Sequence, residues 1–305
     1  MTGDPLLPPF LHGTFDWRFN GLQWNTPPPF DLLSDRVLHD PSPWVVIASV
    51  VERAKRGDHS EVSRLCEFFE RHQPVALGRI ALLVFADTAP GGSLHRLGDA
   101  LRSADPRTRV FAAEAAALTG SLRLIPDMLE AWERARTLND HEAIGFALSE
   151  VLESKPSPIA ESVGSYDLAP PEQPVSPAAA AAYKAMVAAY GDVDPPELPQ
   201  HVRDALRTHE AAHGANAVLW KGVLYEIRAV AQELLDIARG QRTHVIYNLR
   251  HRFEAFTGID CRPMLHALRL QPLSIATIIE QFELSGEVSK YRAGVRYFWG
   301  HSIPD

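Results

Sequence analysis

Cysteine is scarce: the 305 residues hold two, Cys66 and Cys261, far apart and without CxxC or Cys/His spacing. That excludes a disulfide framework and suits a reducing compartment. No apolar run approaches the ~20 residues of a membrane-spanning helix. The N-terminus has no basic stretch followed by a long apolar one, so no signal peptide is expected and a cytoplasmic setting is the default. GxGxxG, GxxxxGK[ST] and GxSxG stretches are missing, which removes the common nucleotide and serine-hydrolase readings.

An excess of positive charge is also lacking. The net charge is −8, with 46% hydrophobic and 22% charged residues, ordinary values for a folded globular chain. Residues 1–154 hold 15 Lys/Arg against 21 Asp/Glu, whereas residues 178–305 hold 14 of each. An acidic first half disfavours a nucleic-acid backbone as partner and favours a basic protein. Solvated surface acid that serves only solubility explains the same balance.

What the sequence does contain is a repeated helix pair between Asp58 and Glu153. Second helices are predicted to start at Pro74, Pro106 and Asp140, spaced 32 and 34 residues apart. First helices precede them at Val62–His72, Leu94–Ala104 and Leu122–Ala135. Val62, Leu65, Cys66 and Phe69 fall on one helical face, as do Leu77, Ile80, Ala81, Val84 and Phe85 on the partner. Ile125, Met128, Leu129 and Trp132 form one stripe of the third pair, and Ile144, Ala147, Leu148, Val151 and Leu152 the other. Ala89-Pro-Gly-Gly92, Ala104-Asp-Pro106 and Thr119-Gly-Ser121 supply the stops. Pairs recurring in the low thirties imply stacked neighbours, since one pair cannot bury its stripes alone. The segment Asp105-Pro-Arg-Thr-Arg-Val110 resembles the inter-helix turn of HEAT repeats, over about residues 40–154. That resemblance implies an α-solenoid.

Around this array, residues 1–43 are rich in proline and aromatics. They read as an extended arm or a short hairpin, Thr14–Trp24 turning at Asn20-Gly21, packed over the first helices. It serves either as an end cap or as an aromatic ligand site. Trp44–Arg56 opens the helices. Residues 155–177 read as a proline-rich linker. Helices are predicted at Ala178–Tyr190, Gln200–His213, Ala217–Arg239, Thr243–Phe256 and Leu273–Leu284, with an irregular or short-strand tail from Tyr291. The expected architecture is all-α: an arm (1–43), HEAT-like repeats (44–154), a linker (155–177) and a C-terminal helical domain (178–305).

Two short stretches, Ala255-Phe-Thr-Gly-Ile-Asp260 and Tyr297-Phe-Trp-Gly-His301, resemble features of bacterial HEAT-like proteins, some of them immunity proteins of polymorphic-toxin systems. The resemblance implies a non-enzymatic binder that neutralises a toxin. Glu67, Glu70, Asp99 and Glu133 are the acidic residues expected to meet such a partner.

The sharpest chemical motif is His209-Glu210-Ala-Ala-His213. On a helix its two imidazoles share a face and can hold one zinc ion, with Glu210 as general base on the bound water. Glu233 lies 20 residues beyond His213, a spacing similar to that of the gluzincin metallopeptidases, and Glu226 or Asp236 could substitute. Against this zinc hydrolase stands a structural alternative that needs no cofactor. Val202, Leu206, His209 and His213 form their own stripe, so the histidines can simply pack at a helix contact. A basic group, Arg239, Arg242, His244, Arg250, His251, Arg252, Arg262, His266 and Arg269, offers phosphate contacts or a solvated face.

Overall fold

The apolar stripes become helices. The computed structural model describes residues 7–16, 21–71, 75–136, 138–153, 198–240, 246–267 and 269–305. Among these the chain is mostly helical, with three two-stranded hairpins. It divides into two units, one made of residues 1–94 and 225–305 and the other of residues 95–224. These boundaries differ from 43/44, 154/155 and 177/178. The proposed linker and the helix Ala178–Tyr190 lie outside the described residues.

The first unit opens with α1 (Pro43–Ala54), whose first-turn proline leaves no donor unpaired. Its residues Trp44 to Val51 are all buried. Helices α2 (Arg64–Arg71) and α3 (Val75–Thr88) pack as a pair, and α3 also meets α1. The arm before α1 is not a β-hairpin among the described residues. It has a 3-10 turn at Pro9–Leu11, and Phe15 N–H donates to Gly21 C=O (2.7 Å) while Gly21 N–H donates to Asp16 C=O (3.2 Å). Asn20 lies outside the described residues. Rings rather than strands hold the arm: Phe15 stacks on Trp44 at 6.3 Å, and Trp24 meets both Phe10 and Phe15 edge-on.

Three more helices complete this unit further along the sequence. In chain order after those named later for the second unit they are α9 (Ile227–Ala238), α10 (Ile246–Thr257) and α11 (Pro272–Leu284). Helix α9 packs on α10 and α11. The hairpin β3 (Leu265–His266) and β4 (Arg269–Leu270) precedes α11, and β5 (Tyr297–Phe298) with β6 (His301–Ser302) ends the chain against α10 and α3.

The second unit holds two successive helix pairs. They are α4 (His95–Leu101) with α5 (Pro106–Thr119), and α6 (Ile125–Arg134) with α7 (Leu138–Leu152). Asp105 caps α5: its Oδ2 accepts from Thr108 N–H (3.1 Å) and from the Thr108 hydroxyl (2.7 Å). Helix α5 buries Ala112, Ala113, Ala115, Ala116 and Ala117, small side chains that let neighbouring helices approach closely. First packs on first and second on second, α4 against α6 and α5 against α7. Helix α8 (Leu198–His213) then lies on α6 and α7.

The long helix predicted from Ala217 to Arg239 does not form. Instead β1 (Leu219–Trp220) turns into β2 (Val223–Leu224), and α9 starts afterwards. Lys221 and Gly222 have φ of 53° and 72°, the pair of positive values that a tight hairpin turn requires. The freed donors find partners: Lys221 N–H reaches Glu150 C=O (2.8 Å) and Gly222 N–H reaches Val151 C=O (2.9 Å), at the end of α7.

Candidate functional site

The four acidic residues expected at a partner surface divide between the units. Glu67 is exposed on α2, in the first unit, and the side chain of Glu70 lies outside the described residues. Asp99 and Glu133 are exposed in the second unit, on α4 and α6, the two helices that pack against each other. Both already hold a cation. Asp99 Oδ1 is 2.6 Å from Arg102, which also reaches Asp127, and Glu133 Oε1 is 2.6 Å from Arg203 of α8. Exposed pairs of this kind exchange readily with a partner's charges, because each contributes little on its own.

The HExxH residues lie on α8 as a helix requires, but not as a buried stripe. Val202 is buried, Leu206 and His209 are half-buried, and His213 is exposed. The imidazoles stack with centroids 6.3 Å apart and planes 17° from parallel. His209 Nε2 sits 3.0 Å from the Leu152 carbonyl oxygen, a contact that requires this nitrogen to carry hydrogen and donate. Glu210 is half-buried, and its carbonyl accepts from Gly214 N–H. Glu233 is buried on α9, in the other unit. Glu226 is exposed just before α9, and Asp236 accepts from Gln232 at 2.8 Å. Among the described residues no group of three or more His, Cys, Asp or Glu is arranged to hold a metal ion.

The basic group is dispersed as well. Arg250, His251 and Arg252 are buried, which removes them from either a phosphate-binding or a solvated face. Arg262 is paired with Asp260, Arg239, His266 and Arg269 are exposed, and Arg242 and His244 lie outside the described residues.

Burial of these side chains produces the cluster that sequence reasoning missed. Glu254, one turn after Arg250 on α10, is fully buried, and its Oε1 accepts from Leu22 N–H at 3.0 Å. The Leu22 carbonyl in turn accepts from Lys55 Nζ of α1 at 2.6 Å. The backbone of one arm residue, Leu22, is thus held by a carboxylate at its N–H and an ammonium at its C=O. Lys55 Nζ lies 4.1 Å from the ring centre of Trp24 and 4.3 Å from that of Trp299. The Trp24 indole N–H donates to Glu52 (2.9 Å). Burial lowers the Lys55 pKa to about 8 against the pull of Glu52 and Glu254. Burial raises that of Glu254, opposed by the Leu22 N–H and then by His251 and Arg250. Three residues before Glu254 on α10, His251 Nε2 meets Asp87 of α3 at 2.7 Å. Arg296, lowered to about 10 by burial, donates to the Ala86 and Ala89 carbonyls. The groups are spent on one another and on backbone, so the cluster fastens the arm and the tail to α1, α3 and α10. Alternating charge on α10, Arg250 with Glu254 four residues on, was the available signal.

The stretches that carried the resemblance also meet. Trp299 N–H donates to Ala255 C=O (2.7 Å) and Gly300 N–H to Phe256 C=O (2.9 Å), so the tail caps α10. Comparison with family models, with curated proteins and with solved structures finds no match to this chain.

Proposed function

We propose that the protein is a non-enzymatic binder of another protein, with the helix pairs of the second unit as its docking surface and a basic protein as partner. The observation that carries this reading is the pairwise stacking, α4 on α6 and α5 on α7, the arrangement by which HEAT-like repeats build an extended surface. The charge of that unit supports it: residues 95–224 hold 12 Lys/Arg against 18 Asp/Glu, a balance of −6. Asp99 and Glu133 sit on the two stacked first helices of that unit. The narrower proposal is an immunity protein that sequesters a cognate bacterial toxin, following the resemblance of Ala255–Asp260 and Tyr297–His301.

The test is to express the chain with the product of the neighbouring reading frame. Co-elution as a stoichiometric complex, and restored growth of cells expressing that product, are expected. Separate elution with no protection would reject the immunity reading.

A further inference from the structure

Two basic side chains, far apart in sequence, finish the same end of α3. A helix leaves its last carbonyls without internal partners. Arg296 of the tail donates to two carbonyls at this end, Ala86 and Ala89, the latter at 2.7 Å. His59, in the loop after α1, takes one between them: its Nδ1 lies 2.9 Å from the Thr88 carbonyl oxygen. A carbonyl only accepts, so Nδ1 carries the hydrogen and Nε2 keeps a lone pair. His59 is 7% exposed, and its Nε2 is buried without a hydrogen-bond partner among the described residues.

This arrangement suits a neutral ring and not a charged one. An imidazolium would bring a second N–H to a buried place without an acceptor, in the field of a guanidinium. The groups facing the ring do not relieve that conflict. From the tail they are Arg296 and His301, and His301 Nδ1 lies 3.1 Å from where a Cβ on Gly57 would sit. From its own loop comes Asp58, whose Oδ1 accepts from Ser60 N–H (3.0 Å) and whose Oδ2 is 3.7 Å from Arg53. On α3, Asp87 is bonded to His251 and faces Arg296, as does Asp305 at the end of the tail. Burial, with Arg296 and His301, holds the His59 pKa below its usual 6.5, against the Thr88 carbonyl and Asp58. The docked state therefore loses stability as pH falls below 6.5, because a ring freed from this place binds the proton more readily. Both opposing groups come from the tail, so the tail is the element that relieves the conflict by moving. We propose that His59 is a pH-sensitive latch on the C-terminal tail: neutral, it lets Arg296 close on the end of α3, and protonated in mild acid it opens that clasp.

Amide exchange and histidine ring titration of the full chain between about pH 7.5 and about pH 5.5 test this, with intrinsic exchange rates divided out. Gly91 N–H is bonded to Pro304 C=O (2.8 Å) and Ile303 N–H to Arg296 C=O (2.9 Å), so both amides report the docked tail. Their protection should fall about fivefold or more at the acid end, in step with protonation of His59. The amides of Val50 and Val51, inside α1, should keep theirs. His59→Asn stays neutral and can still donate to Thr88, so it should abolish the fall. His301→Asn should leave the fall in place. The wild-type ring titration decides without any variant: His59 should titrate below 6.5, with the midpoint at which protection is lost. A midpoint at or above that value, protection indifferent to pH, or an equal fall in His59→Asn would overturn the proposal. So would a fall that vanishes in His301→Asn, or an equal loss within α1.

Discussion

The ring of Trp299 lies against the bare Cα of Gly258: a Cβ there would come within 2.8 Å of the indole. Gly258 has φ of +76° and ends α10, so two reasons for glycine coincide at one residue. The tail docks where the helix stops. Every side chain larger than hydrogen would push the two apart.

Gly258→Ala should therefore lose about 2–4 kcal/mol of unfolding free energy, from backbone strain plus displacement of Trp299. Gly286 is the control. Its φ is +73°, yet nothing lies within 4 Å of the position a Cβ would take, so Gly286→Ala should cost only about 1 kcal/mol. Urea denaturation of both variants measures the difference, and equal losses would mean that the packing on Trp299 contributes nothing.

Burial at Lys55 gives a signed pH dependence. Its folded pKa of about 8 is below the ordinary 10.5, so the unfolded chain holds that proton to higher pH. Stability from this group rises as pH passes from 8 to 10.5, where the cost of a buried ammonium disappears. Cys261 and Tyr291, both raised by burial, act in the opposite sense in alkali and cancel when wild type is compared with Lys55→Met. The unfolding free energy of the wild type should gain on that of the variant across this window. A constant difference would show that Lys55 keeps its solution pKa.

Arg109 and Asp140 join α5 to α7 from buried positions, 4.0 Å apart, and Arg109 also donates to the Ser103 and Ala104 carbonyls. Arg109→Ala should cost about 3–5 kcal/mol, since it leaves a carboxylate buried beside a vacated cation. Denaturation midpoints of Arg109→Ala and of the exposed Arg107→Ala give the comparison. A loss no larger at Arg109 would mean that the pair does not hold the two helices together.

On α8 the exposed His213 should tolerate Leu within about 0.5 kcal/mol, whereas His209→Leu should cost about 1 kcal/mol through its bond to Leu152. Metal analysis after dialysis should find no stoichiometric zinc. Zinc that persists, and is lost in both His209→Ala and His213→Ala, would revive the hydrolase.

Much of the helical order was legible in the sequence because it is local. Asp105-Pro106 announces a cap and a first turn, and α5 starts there. Gly258 announces the end of α10. The turn at Lys221-Gly222 was hidden, since Val218 to Leu235 carries an apolar periodicity that also suits one helix. A lysine at positive φ leaves no mark in the sequence. The clasp at Leu22 was less accessible still: its bond to Glu254 spans 232 residues, and nothing local at either end specifies the other. The exposure of His213 depends on where α8 ends against α6 and α7, which the motif does not encode.

The most direct test of the central claim is the salt and charge dependence of partner affinity. Titration calorimetry with the neighbouring-frame product, at about 50 and about 300 mM salt, should show the dissociation constant rising roughly tenfold or more. Asp99→Lys with Glu133→Lys should raise it by a similar factor at low salt and by less at high salt. An affinity indifferent to both salt and charge reversal would contradict an acidic docking surface on α4 and α6.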